Sequence, residues 1–301
     1  MQPRKDQIDF IIIGAQKAGT TTLFRLLNEH PQIHMPLEKE APFFTQNHAC
    51  ESNALRNYLA ETFGNAPENK LWGKATPSYL CDPSAARKIR KVLPHIKLIV
   101  ILRDPIDRTF SHYLMSTRRR IESRNFSEVV QCLIEDPALS QTRILPYSWE
   151  AENSCYLAWS EYGRLLKPYS DFISHGQLLI LFMDELAHNP LSLLDKIMTF
   201  LGLETGFMPK NIGRRYHVGG SQLRFPSVYK WFTHESKKLL PPKWQRLVRF
   251  WAELWLTIPL AQEHRSIDEN TYKRLRDHFQ KDIALLEQIT GLNVPWTHYK
   301  S

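Results

Sequence analysis

Residues 8–29 read IDFIIIGAQKAGTTTLFRLLNE. Ile8–Ile13 is an apolar, β-rich run, the pattern of a strand buried on both faces of a parallel sheet. Gly14–Gly19 follows as a short glycine loop. Thr20–Glu29 then sets Leu23, Leu26 and Leu27 on one helical face. Strand, glycine loop and helix in that order open an α/β unit whose backbone amides and helix N-terminus can cradle a phosphate. Gly14-Ala15-Gln16-Lys17-Ala18-Gly19 has the glycine spacing of a P-loop but departs from its chemistry. In a Walker A loop a lysine follows the second glycine. Here Thr20 stands at that place and the lysine lies inside the loop as Lys17, while Thr20, Thr21 and Thr22 add hydroxyl donors.

A second buried strand, Lys97–Leu102 (KLIVIL), runs into Arg103-Asp104-Pro105 and a helix through about Arg119. A Walker B strand ends in an acid that helps hold Mg²⁺. This one ends in Arg103, which suits a further phosphate rather than a metal. A surface ion pair with Asp104 or Asp107 is the plainer alternative. Ser111 lies eight residues on, where it can face the cleft at the carboxyl ends of the strands. Leu71–Lys74 and Gln177–Phe182 read as further strands, and His34–Pro36 lies near a short extended piece. Helical spacing is expected over Asn53–Thr62, Ser84–Val92, Phe126–Ile134, Asn153–Leu166, Leu191–Leu203, Ser236–Ile258 and Asp268–Thr290, with Tyr216–Arg224 a loop. Strands separated by helices predict an α/β, P-loop-like, three-layer fold: a central, mainly parallel sheet flanked by helices, with a helical C-terminal part. No linker splits the chain, so one domain over 1–301 is expected, with its nucleotide-binding and catalytic core in 8–225 and a mostly helical 226–301.

At 301 residues the chain can bury one sizeable core. Its formal charge of +8 suits an anionic partner without choosing among nucleotide, nucleic acid, acidic glycan and membrane, and a solvated basic surface accounts for it equally well. The charges are dispersed and no recognition motif appears, which sets nucleic acid aside. The four cysteines show no CxxC or zinc spacing, so reduced thiols and no metal are expected. No run approaches the roughly 18 apolar residues of a membrane span, and a soluble, cytoplasmic protein is the expectation. Leu247–Ala261, rich in Trp and Leu, reads as a core helix interrupted at Pro259. An interfacial helix in peripheral contact with lipid, or a wall against which a sugar stacks, stays open. Arg118-Arg119-Arg120 reads as a solvated helix end in preference to a glycan contact. His34, His112 and His217 read as packing or surface histidines.

Gly14–Thr22 resembles the 5′-phosphosulfate loop of the sulfotransferases that use 3′-phosphoadenosine 5′-phosphosulfate (PAPS). Val100–Tyr113 (VILRDPIDRTFSHY) resembles their 3′-phosphate motif, with Arg103 and Ser111 as the phosphate contacts. Glu40-Ala41-Pro42-Phe43-Phe44 is similar to the acid before an aromatic run in the carbohydrate-modifying branch, which includes bacterial and heparan-sulfate-type members. Lys74–Tyr79 (KATPSY) resembles a Lys-x-x-Pro-x-Tyr segment, and His217–Arg224 resembles a loop that closes over the 3′-phosphate. That loop reads Gly219-Gly220 where relatives often have Gly-Asn, and the absence of a cysteine-bridged closing loop argues against a secreted-pathway enzyme.

The resemblance implies in-line transfer of a sulfuryl group from PAPS to a hydroxyl or amine, on a carbohydrate or glycolipid acceptor. It implies Gln16, Lys17, Ala18, Gly19, Thr20, Thr21, Thr22, Arg103, Ser111, Gly219, Gly220 and Arg224 as nucleotide contacts. Lys17 is expected to stabilise the bridging oxygen of the leaving group, and Lys74 to assist near the sulfonate. Glu40 is the expected general base, made more basic by partial desolvation beside Phe43 and Phe44. A sulfuryl group carries less charge than a phosphoryl group, so no metal is required. A P-loop kinase or NTPase, and a nucleotide-binding relative without catalysis, stay open as alternatives.

Overall fold

Phe10–Ile13 are each no more than 1% exposed, as a strand covered on both faces must be. They form β1 (Phe10–Gly14), the middle strand of a five-stranded parallel sheet. Its other members are β2 (Ile33–His34), β3 (Leu71–Ala75), β4 (Lys97–Leu102) and β5 (Leu178–Phe182), in the order β2-β3-β1-β4-β5. The computed structural model describes residues 6–36, 40, 42–212, 221–223, 257–259 and 266–300. Asp9, the one charged residue in the first apolar run, stands just before the amino end of β1, where its carboxylate accepts from the Trp72 N–H at 2.7 Å. Register along the sheet pairs Ile11 with Lys74 on one side and with Leu98 on the other.

The path of the chain positions the site. From β1 it crosses to the β2–β3 side, then returns past β1 to β4 and on to β5. Winding reverses between β1 and β4, and in open parallel sheets the crevice beyond the carboxyl ends of such a pair is where ligands bind. The two segments that leave those ends are the glycine loop and Arg103. Each then enters a helix, Thr20–Leu27 and Pro105–Arg118.

Most expected elements stand within a few residues of their expected bounds, but Asn153–Leu166 does not form one helix. Only Trp149–Glu152 and Tyr162–Leu166 are α-helical, with a 3₁₀ turn at Ala158–Ser160 between them. Residues 155–160 are buried on all sides, none more than 2% exposed, so no single apolar stripe directs a helix. The Tyr156 carbonyl serves a tertiary partner instead, accepting from Arg108 at 3.0 Å.

Glu269–Thr290 is helical as expected, capped by Asp268 and ended by Gly291 at φ 68°. Leu275, Phe279, Ile283 and Leu286 bury one face of it. Asp282 accepts the backbone N–H groups of Gly163 and Arg164, both at 2.8 Å, and so holds this helix to Tyr162–Leu166. Buried Glu161 meets His278 of the same helix at 3.1 Å, and Arg143 and Arg164 at 2.6 Å each. Burial works to raise the Glu161 carboxyl, but hydrogen bonds from His278, Arg143 and Arg164 outweigh it and hold the group at about 2.

Most of Ser236–Ile258 and of Leu247–Ala261 lies outside the described residues. Within them, Thr257–Pro259 (β7) pairs antiparallel with Ser221–Leu223 (β6), so Ile258 is extended rather than helical. Among the described residues no helix is long and apolar enough to cross a membrane.

Candidate functional site

The loop after β1 is shaped by two glycines and fastened by two arginines. A Cβ on Gly14 would stand 2.7 Å from the Leu80 Cβ, so only glycine fits beneath that residue. Gly19 sits at φ 92°, the left-handed region open to glycine, and leads into the Thr20–Leu27 helix without a side-chain cap on its first amides. Lys17 is left-handed too, at φ 72°, which costs a non-glycine residue about 1–2 kcal/mol.

The Gln16 carbonyl accepts from Arg108 Nε at 3.0 Å, and the Lys17 carbonyl from Arg103 Nη1 at 3.5 Å. A trans peptide sets N–H opposite to C=O, so the Lys17 amide points away from Arg108. The Ala18 N–H is used by the Ala15 carbonyl at 3.1 Å, so Ala18 tightens the turn rather than donating to a ligand. Thr20 is buried, with Thr21 and Thr22 half-buried on the first helical turn.

Arg108 is the hub of this arrangement. It is fully buried on the Pro105–Arg118 helix, whose start is fixed by Asp104 accepting from the Ile106 and Asp107 amides at 2.9 and 3.0 Å. Besides the loop carbonyl, its guanidinium donates to the Tyr156 carbonyl at 3.0 Å, the Ser160 hydroxyl at 3.1 Å and His112 Nδ1 at 2.9 Å. A guanidinium can only donate, so His112 Nδ1 accepts and its Nε2–H donates to the Glu152 carbonyl at 2.6 Å. Burial, then the Arg108 charge, hold the His112 imidazole well below its usual range. His112 is therefore a neutral packing histidine, stacked on Trp159 at 5.4 Å.

Positive charge accumulates around Lys17. Burial, followed by the charges of Arg118, Arg108, Arg119 and Arg103, brings its ammonium down from 10.5 to about 8. Arg103 contacts Asp107 at 3.5 Å, and Arg119 contacts Glu152 at 3.1 Å. The remaining field at Lys17 is still positive, and an anion entering the crevice would relieve it. Arg118 and Arg119 are half-buried beside the loop, so this basic run is not a solvated helix end; only Arg120 is exposed.

A family model described as the sulfotransferase domain matches residues 7–215, most of the chain. The chain belongs to the sulfotransferase domain family. The membrane-associated sulfotransferase kil1 of Dictyostelium discoideum is 38% identical over 110 residues, 36% of this chain and 23% of that protein. Human heparan sulfate glucosamine 3-O-sulfotransferase 3B1 is 26% identical over 291 residues, 95% of this chain. The matched region is 64% of that human protein, so the chain spans less than two thirds of either relative. A crystal structure of a sulfotransferase from Alicyclobacillus acidocaldarius shares the fold, with a TM-score of 0.68 at 21% identity over 98% of this chain and 99% of that one.

On this sulfotransferase-family fold the expected residues fall into three groups. Gln16, Lys17, Ala18, Gly19, Thr20, Thr21 and Thr22 share the first loop and helix turn, and Arg103 joins them through the Lys17 carbonyl. The Gln16 side chain is committed elsewhere, donating to Glu152 Oε1 at 2.6 Å. Ser111 is half-buried on the Pro105–Arg118 helix.

Lys74 and Glu40 lie in contrasting surroundings, and only those of Glu40 differ from expectation. Lys74 is no surface lysine: it is 1% exposed inside β3. Glu40 is exposed, and the shielding expected from Phe43 and Phe44 is missing because both rings turn into the core. Phe43 stacks on Tyr58 at 4.6 Å, and Phe44 meets Tyr79 edge-on at 5.5 Å. Gly219, Gly220 and Arg224 lie outside the described residues.

Sequence reasoning missed Arg108 and Glu152. Arg108 had a legible signal, because it lies one helical turn before His112 and so shares its face. Glu152 had none, since it reaches the loop across 136 residues of chain.

Proposed function

We propose that this chain transfers a sulfuryl group from PAPS to a hydroxyl or amine of a carbohydrate or glycolipid, acting as one catalytic unit over its length. The observation that carries the reading is the convergence of Arg118, Arg108, Arg119 and Arg103 on Lys17 at a glycine loop. Such a field fits a ligand bearing several phosphate charges. The donor, when bound, supplies an activated sulfuryl group attached to a bisphosphate leaving group. Lys17, with the Lys17 amide and the hydroxyls of Thr20, Thr21 and Thr22, holds the 5′-phosphosulfate end. Arg103 and Ser111 hold the 3′-phosphate, and so separate this donor from ATP; Gly219, Gly220 and Arg224 close over it.

Lys17 stabilises the charge that grows on the bridging oxygen. Glu40 accepts the proton of the attacking hydroxyl or amine at its carboxylate, and Lys74 assists near the sulfonate. Because Glu40 is exposed, its desolvation comes from the acceptor as it docks rather than from Phe43 and Phe44. A reducing, cytoplasmic setting belongs to the same reading, since Cys50, Cys81, Cys132 and Cys155 are all free thiols.

The test uses ³⁵S-labelled PAPS with a desulfated heparin mixture as acceptor. Label should pass to the glycan with the unaltered protein. Glu40→Gln should slow transfer by roughly 10²–10⁴-fold while leaving affinity for 3′,5′-adenosine bisphosphate unchanged. Equal rates for the two proteins would remove Glu40 from the mechanism.

A further inference from the structure

Trp149 opens the short helix Trp149–Glu152 and is 60% exposed, an unusual place for the largest apolar side chain. It is held in place, not merely left outside. The Ser148 hydroxyl accepts from the Ala151 amide at 3.1 Å, and Asn153 Nδ2 donates to the Trp149 carbonyl at 2.7 Å. The Arg119 guanidinium lies over the indole, 5.5 Å from its centroid. Arg119 also contacts Glu152 Oε2 at 3.1 Å, and the other oxygen of that carboxylate accepts from Gln16 Nε2 at 2.6 Å. Indole, guanidinium, carboxylate and donor loop thus form one connected series, and Arg119 is close enough to Lys17 to lower it. Next to it, Tyr147 feels the charges of both Glu152 and Glu40, and stacks on Trp159 at 5.9 Å. Trp149 therefore stands beside the loop that carries Lys17.

We infer that Trp149 and Arg119 form the acceptor subsite, a platform for an anionic saccharide bearing carboxylate or sulfate groups; this rests on the sulfotransferase reading above. An indole face takes the C–H side of a pyranose ring, as it takes other flat partners with a positive edge. A guanidinium beside it reads a carboxylate or sulfate through paired N–H donors. Charge complementarity selects this occupant over a neutral glycan or a phenol, because Arg118 and Arg119 add their field to that of Lys17 at the same loop. Glu152 is a positioning residue: it holds Arg119 toward the indole and Gln16 toward the donor loop.

The test is titration calorimetry with a defined heparin-derived octasaccharide, on protein saturated with 3′,5′-adenosine bisphosphate. Trp149→Ala, at an exposed site, should keep the melting temperature and the bisphosphate stabilisation, yet weaken octasaccharide binding roughly tenfold. Trp149→Phe should recover part of that loss. Unchanged octasaccharide affinity in Trp149→Ala overturns the subsite, as does failure of the unaltered protein to bind the octasaccharide. So does a loss confined to anionic phospholipid vesicles in a parallel binding assay. Failure of the bisphosphate itself to stabilise the unaltered protein would instead overturn the donor reading.

Discussion

Lys17→Ala should lower sulfuryl transfer by roughly 10²–10³-fold, the usual cost of removing one preorganised charge-stabilising group. The same substitution should make the ligand-free protein more stable. The Lys17 ammonium ordinarily titrates at 10.5 and here does so at about 8. A shift of that size corresponds to a cost on the order of 3 kcal/mol for keeping the charge in the fold. Between pH 8 and 10.5 the unfolded chain binds the proton and the folded one has released it. Stability of the ligand-free protein therefore rises with pH through that window and is lowest below it. Alanine removes this slope, and relief of the left-handed strain is partial because alanine also dislikes φ 72°. A net gain of about 1–2 kcal/mol at pH 7 is expected from chemical denaturation, after the lost packing of the lysine stem. Bisphosphate affinity has the opposite dependence: it should be strongest below pH 8, where Lys17 is charged, and fall above it. A destabilised Lys17→Ala protein with unaltered pH dependence would contradict the claim that the loop stores positive charge for a ligand.

Arg108→Ala should destabilise the protein by about 3–5 kcal/mol. Its fully buried guanidinium serves the carbonyls of Gln16 and Tyr156, the Ser160 hydroxyl and His112 Nδ1, the last three inside the core. Removal takes the donor from the Gln16 carbonyl and His112 Nδ1 and opens a cavity, while the Tyr156 carbonyl and Ser160 hydroxyl keep Thr109. It also frees the Gln16 carbonyl, so bisphosphate affinity should fall in whatever fraction stays folded. Urea unfolding gives the first quantity, and calorimetric titration below the unfolding midpoint gives the second. An effect under about 1 kcal/mol would mean that the loop is held by its own glycines and not by Arg108.

The parts of the fold read most directly from the sequence are those whose physics is local. Ile8–Ile13 and Lys97–Leu102 are apolar without alternation, and both are central strands of the parallel sheet. The glycine loop is legible for the same reason, since Gly14 and Gly19 answer to close packing and a positive φ within a few residues. Distance along the chain marks where this reading stops. Nothing in Asn153–Leu166 says that its Tyr156 carbonyl serves Arg108, and without that knowledge the segment looks helical. The run Arg118-Arg119-Arg120 looks like a solvated helix end until the fold half-buries Arg118 and Arg119, whose charges reach Lys17. Glu40 shows the converse, because Phe43 and Phe44 are beside it in sequence but pack away from it.

The loop at Lys17 and the strand end at Arg103 should together recognise a nucleotide with separate 5′- and 3′-phosphates. Thermal unfolding with 3′,5′-adenosine bisphosphate, compared with ADP plus Mg²⁺, tests it without knowledge of the acceptor. At about a hundredfold excess over its Kd the bisphosphate should stabilise the protein by roughly 2.7 kcal/mol, a rise of several degrees, and Arg103→Ala should abolish most of it. A metal-dependent rise with ADP and none with the bisphosphate would contradict the account and favour an NTP-binding site.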